Sequence, residues 1–146
     1  MKIKIKQRDI TDCGAACLAS IAAHYHLGIP VARIRQMAGT DQKGTNAWGL
    51  IKAAERLGFT AKGVKGGIEA LPDIPCPAIA HVILNKTLLH YVVIYKLTKD
   101  QIEYMDPGDG EMHKTTLQNF VEIWSGVLIL MTPGADFQPK NEKISV

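Results

Sequence analysis

The sequence has few of the features that would commit it to a specialised class. Its 146 residues contain no apolar run near the roughly 20 residues that a membrane-spanning helix needs. Stretches such as 127–131 are far too short, so this segment is not expected to insert into a bilayer. Aromatic residues make up only 6% and the formal net charge is +3. The one local basic cluster, Lys2, Lys4, Lys6 and Arg8, alternates with Ile3 and Ile5 and reads as an edge strand. A nucleic-acid surface needs a larger basic patch with aromatic platforms or a motif, so that class is set aside. Cysteine is scarce as well: Cys13, Cys17 and Cys76 lack the spacing of a secreted disulfide framework, and no signal-peptide pattern precedes them. A reducing compartment is expected. Cys13, Cys17, Cys76, His81 and His90 can be written as zinc ligands, but no standard paired spacing is present. Gly63, Gly66 and Gly67 form no phosphate-binding motif, so no ATP site is expected here.

What is present describes an ordinary folding domain. The chain is 47% hydrophobic and 21% charged, near the averages for soluble globular proteins. At this length about two-thirds of the unfolded surface can be buried, so neither disulfide nor metal is needed for stability. A cysteine is free for chemistry. Thr11 or Asp12 starts a helix that Gly28 and Pro30 stop; a shorter one covers about 31–38; a third, capped by Thr45-Asn46, runs over about 47–57. After an extended stretch near 59–64, the prolines Pro72, Pro75 and Pro77 forbid helix. Strands are expected over 78–84, 88–95 and 101–105, then a turn from Asp106 to Gly110, a helix over about 117–124 and a closing strand at 127–131. Helices precede the sheet, which argues for an α+β fold. Residues 1–133 read as one domain and the polar residues 134–146 as a linker or tail.

Cys13 is the central chemical observation. A thiol in the first turn of a helix meets unpaired backbone N–H groups and the positive end of the dipole, which favour thiolate. A free cysteine is otherwise most often a small buried hydrophobe. Gly14, next in sequence, removes a side chain where a substrate backbone has to approach. Gln7, six residues upstream, offers an amide that can join the Cys13 N–H in an oxyanion hole. His90 sits in an apolar strand, on the face of Val92 and Ile94 by alternation, and needs a polar partner, be it a core carbonyl or a catalytic group. Asp106 ends the next strand, where it serves either as a turn starter or as the acceptor for the histidine's second nitrogen. Nucleophile, base and orienter then occur in the order Cys13, His90, Asp106. Cys17, one helical turn on, and His113, in a polar stretch, read as core and surface respectively.

The run Gln7-Arg8-Asp9-Ile10-Thr11-Asp12-Cys13-Gly14-Ala15-Ala16-Cys17-Leu18 resembles the Q-x-D-x-x-D-C-G-x-A-C-L signature of double-glycine leader peptidase domains. These are the N-terminal domains of peptidase-containing ABC transporters. The likeness extends through Gly44-Thr45, residues 53–59, 77–81 and 89–93 and Asp106-Pro107-Gly108, nearly the whole chain to about Pro133. It implies a papain-like fold and cleavage of a bacteriocin or lanthipeptide leader after Gly-Gly or Gly-Ala. By position it implies Cys13, His90 and Asp106 as the triad and Gln7 as the oxyanion-hole glutamine, and it selects Cys13 over Cys17.

The resemblance also implies a leader that docks as an amphipathic helix, no cofactor for this domain, and ATP used only by the nucleotide-binding domain of a parent transporter. The parent's peptidase would face the cytoplasm of a bacterial cell, and the present chain is expected to be its excised, soluble domain. Two other readings compete: a leader-binding module that does not cut, and another acyl-transfer enzyme, since Cys-His-Asp chemistry recurs on several folds.

Overall fold

A computed structural model describes residues 2–6, 10–40 and 44–139. Helix α1, Cys13–His24, continues from a 3-10 turn at Ile10–Asp12. All of its residues from Cys13 to Ala22 are buried, so this stretch has no solvent face. Its small residues, Gly14, Ala15, Ala16, Ala19 and Ala22, allow close packing against β3, α2 and α3. Buried Ser20 is satisfied within the helix, its Oγ donating to the Ala16 carbonyl at 2.9 Å.

Helix α2, Val31–Ala38, starts after Pro30 and ends at Gly39, whose φ of 67° lets the Thr40 N–H reach back to the Arg35 carbonyl. Helix α3, Ala47–Arg56, is capped by Asn46, whose side-chain oxygen accepts the Gly49 N–H at 2.7 Å. Gly49 is required by packing. A Cβ there would lie 2.2 Å from the Ala38 carbonyl oxygen, so α2 and α3 approach as closely as they do only because this residue has no side chain.

The second half builds a six-stranded antiparallel sheet from β1 (Phe59–Lys65), β2 (Ala78–Leu84), β3 (Leu88–Leu97), β4 (Gln101–Asp106), β5 (Glu111–Thr116) and β6 (Trp124–Pro133), with the short α4 (Leu117–Val121) before β6. The order is β1-β6-β2-β3-β4-β5. The last strand thus enters between the first two. One core, with Ile79, Val93, Met105 and Ile129, faces α1 and α3; the other, with Val82, Val92, Ile94 and Leu128, gathers Phe120, Trp124 and Leu71. The architecture is the expected α+β arrangement.

Several local expectations change. Residues 2–6 form no strand. Lys2 pairs with Glu103 at 2.6 Å, the Ile3 carbonyl accepts from the Tyr95 hydroxyl, and Ile5 packs on the helical core, so the segment is fixed by side chains and not by a ladder. The edges of the sheet are instead β1 and β5, the latter a polar strand whose pairing from Gln101↔Thr116 to Asp106↔Glu111 is set by the turn before it. A 3-10 segment, Ile68–Asp73, accommodates Pro72. The last helix stops at Val121, and Trp124 already belongs to β6, its Nε1 donating to the Val127 carbonyl at 3.0 Å. Beyond β6 the chain stays on the domain at least to Phe137, whose ring lies 4.7 Å from that of Phe59, while the Gly134 N–H donates to the Gly58 carbonyl.

Candidate active site

Cys13 is the first residue of α1 and only 6% exposed. The N-cap Asp12 does not cap the helix with its side chain; its buried carboxylate pairs with Arg35 of α2 at 2.5 Å. Across from the helix start, β3 supplies His90, also 6% exposed, and its Nε2 lies 2.6 Å from Asp106 Oδ1 at the end of β4. The same Oδ1 accepts the Gly108 N–H at 2.7 Å, and the Asp106 carbonyl accepts from Gly110. The turn role and the orienting role of Asp106 are therefore one arrangement: the turn locks the carboxylate that holds the histidine.

Since Nε2 is occupied by Asp106, the other ring nitrogen, Nδ1, is left for the sulfur. Burial lowers the affinity of His90 for its proton, but hydrogen bonds to Asp106 and to Cys13, and the charges of both, overcome this and lift its pKa to about 9. Asp106 moves the other way: burial would raise it, yet the hydrogen bonds from His90 and from the Gly108 N–H hold its carboxyl below the usual range. At neutral pH the site contains an imidazolium clamped by a carboxylate, next to the Cys13 sulfur at a helix start. Such a set can deliver a proton to a leaving amine and recover it from water.

A cleft of about 520 Å³ opens on Cys13, lined also by Gly39, Gly44, Thr45, Asn46, Ala47, His81, Leu89, Tyr91 and Val127. Its wall at 44–47 is fixed by a hydrogen bond between the Thr40 and Thr45 hydroxyls and by the Asn46 cap. A larger depression of about 620 Å³ between the ends of α2 and α3 and residues 134–138 contains none of the three candidates, so size alone would misplace the chemistry.

The structure thus brings together Cys13, His90 and Asp106. Gln7 lies outside the described residues. Gly14 plays a different part from the one expected: a Cβ there would meet Leu50 at 3.0 Å and Tyr91 at 3.4 Å, so the missing side chain accommodates protein packing. Cys17 is fully buried, and burial followed by the nearby Cys13 and Asp106 pushes its thiol well up. His113 is on β5, paired with Asp109 at 2.7 Å and stacked on Tyr104. Among the described residues the cysteines and histidines written as zinc ligands do not assemble; the one cluster of suitable groups is Asp106, Asp109 and His113, already hydrogen-bonded as described. His81, named from sequence only as a zinc candidate and within the family resemblance, is instead a cleft residue that sequence reasoning did not place there. Its register opposite Tyr91, on a strand paired with that of His90, was the signal available.

Comparison with known proteins agrees with this geometry. The Peptidase C39 family matches residues 2–136. The chain is 43% identical over 146 residues to the lactococcin-G-processing and transport ATP-binding protein LagD of Lactococcus lactis subsp. lactis, covering 99% of this chain but 21% of LagD. It superimposes on the peptidase domain of Streptococcus ComA, a bifunctional ABC transporter, with a TM-score of 0.84 at 33% identity, covering 91% of this chain and 99% of that one. A double-glycine-motif protease from an AMS/PCAT transporter, solved with its leader peptide, gives 0.81 at 30% identity, covering 89% and 90%. The fold is accordingly papain-like, and the chain belongs to the Peptidase C39 family.

Proposed function

We propose that this domain is a cysteine endopeptidase that removes the leader of a bacteriocin or lanthipeptide precursor by cutting after Gly-Gly or Gly-Ala. The observation that carries the reading is the His90–Asp106 pair facing Cys13 at the mouth of an open cleft, in a chain similar over nearly its whole length to a double-glycine protease. The Cys13 thiolate attacks the carbonyl carbon of the last leader residue. The oxyanion is held by the Cys13 backbone N–H and the Gln7 amide. His90, charged at neutral pH, gives its Nδ1 proton to the departing amine as the C–N bond breaks. A water then adds to the thioester, with the neutral His90 taking its proton, and the carbon–sulfur bond breaks to restore the Cys13 thiolate beside a charged His90. Asp106 keeps the ring in place throughout.

These steps use groups of the protein and water alone, and the domain is assigned no cofactor. ATP would be consumed by the nucleotide-binding domain of the transporter to which it belongs, with the peptidase on the cytoplasmic side of the bacterial membrane. No helix among the described residues is long and apolar enough to cross a membrane. The leader docks as an amphipathic helix; Leu89, on the cleft wall and 64% exposed, and Trp48, beside Ala47 and 65% exposed, are apolar groups available to it.

Mass spectrometry of a double-glycine precursor after incubation with the domain is the test. One cut after the small pair is expected, with no product from Cys13→Ala and normal product from Cys17→Ala. Cleavage by Cys13→Ala would refute the reading, and tight binding of the leader without product would make the domain a recognition module.

A further inference from the structure

The cleft contains a second imidazole that the acyl-transfer steps do not use. His81 is on β2 opposite Tyr91 of β3, meets the Tyr91 ring edge-on at 5.2 Å between centroids, and lines the cavity with Cys13. The β2–β6 register shifts between Ala80 and Val82, so His81 stands at a bulge. There the Ser125 hydroxyl of β6 donates to the His81 carbonyl at 3.0 Å, and its oxygen also lies 2.8 Å from His81 Nδ1. A serine hydroxyl has one hydrogen. With that hydrogen on the carbonyl, the oxygen faces the ring as an acceptor, and Nδ1 carries the imidazole proton. Nε2 then holds a lone pair, and none of the hydrogen bonds among the described residues engages it. Burial, followed by the charge of His90, lowers the His81 pKa and keeps the ring neutral beside its charged neighbour.

We infer that His81 is a substrate-binding residue whose Nε2 accepts a hydrogen bond from a main-chain N–H of the two residues preceding the scissile bond, with Ser125 as the positioning residue that fixes its tautomer. The inference rests on the leader-peptidase reading. It also supplies what that reading needs chemically. Glycine and alanine offer no side-chain donor, so the backbone is the one polar handle they present, and a fixed acceptor in the cleft wall can grip it. The opposite tautomer, with Nε2 protonated, would meet that N–H donor to donor.

The experiment uses a leader peptide ending in Gly-Gly followed by a few core residues, with two ester analogues, each replacing the N–H of one of the two glycines by oxygen. With the wild-type domain, one ester lowers kcat/KM about 5–10-fold. His81→Leu lowers kcat/KM for the amide peptide by a similar factor, carried by KM, and no longer distinguishes that ester from the amide. His81→Gln, whose amide oxygen replaces the acceptor, recovers part of the loss. Ser125→Ala raises KM with kcat retained, and Ser125→Thr restores it. The inference is overturned if neither ester affects the wild type, a result independent of any variant's folding, or if His81→Leu responds to both esters as the wild type does. Failure of the wild type to cut the amide peptide at all would instead overturn the leader-peptidase reading.

Discussion

The His90–Asp106 contact makes stability fall with rising pH across a defined window. Burial acts against the charged ring, but hydrogen bonds and charges from Asp106 and Cys13 lift His90 to about 9, against 6.5 for an ordinary histidine. A group whose folded pKa lies above its unfolded value holds its proton more tightly in the native state. Its stabilisation is complete below pH 6.5 and is lost as the pH rises through 9. Within that window the native state binds one more proton than the unfolded chain, so each pH unit costs about 1.4 kcal/mol, or about 3 kcal/mol across the window. The ring is only 7% exposed, so solvent screening reduces this little. Asp106→Asn removes the charge while leaving an oxygen to accept from Nε2 and from the Gly108 N–H. Urea unfolding of both proteins between pH 6.5 and 9 should give the wild type the steep loss and the variant less than half of it. Asp106, shifted down by its hydrogen bonds from His90 and Gly108 despite burial, adds a second loss on the acid side, as pH falls through its lowered pKa. Cleavage should follow: Asp106→Ala costs about 10²–10⁴-fold in kcat/KM, and Asp106→Asn less, because it still orients the ring. A wild type with flat stability from 6.5 to 9, or an Asn variant with a parallel curve, would refute the coupling.

Gly49→Ala tests the α2–α3 contact by sign: helix propensity alone predicts a gain of about 1 kcal/mol, but the 2.2 Å overlap with the Ala38 carbonyl should reverse it to a net loss of about 1–3 kcal/mol in urea unfolding. Trp48→Ala should leave stability nearly unchanged, since the ring is exposed and its contact is with the Lys52 ammonium at 4.3 Å. It should raise KM for a full-length leader about 10-fold or more and leave a short peptide spanning only the cut unaffected; equal effects on both substrates would remove Trp48 from leader docking.

Much of the fold was legible because its signals are local. Pro30, Gly39 and Asn46 set the ends of α2 and the start of α3 by backbone geometry and capping, and the apolar strands β2 and β3 are bounded by turn residues. What escaped was decided by neighbours. β5 has a polar sequence, Glu-Met-His-Lys-Thr-Thr, and exists because the turn at 106–110 returns it to β4 in register. Residues 2–6 have strand-like alternation, but Lys2, Ile3 and Ile5 find an acidic side chain, a tyrosine hydroxyl and the helical core instead. Alternation describes a segment's two faces and says nothing about whether a ladder partner is present.

The same division runs through the site. Cys13, His90 and Asp106 were nameable because each stands beside a local cue: a helix start, a polar residue in an apolar strand, a turn. His81 has no such cue, as a histidine after Ala-Ile-Ala in a strand reads like any half-buried imidazole. Its interest arises only when β6 inserts beside β2 and brings Ser125, 44 residues away, onto its Nδ1. That insertion is a property of sheet order, which a strand's own residues do not encode. Two imidazoles then share one cleft in opposite states. His90 is charged because a carboxylate holds it, and His81 is neutral because burial and a cationic neighbour lower its affinity for a second proton. A single protonation state in both would leave the cleft with either no acid for the leaving amine or no acceptor for the substrate backbone.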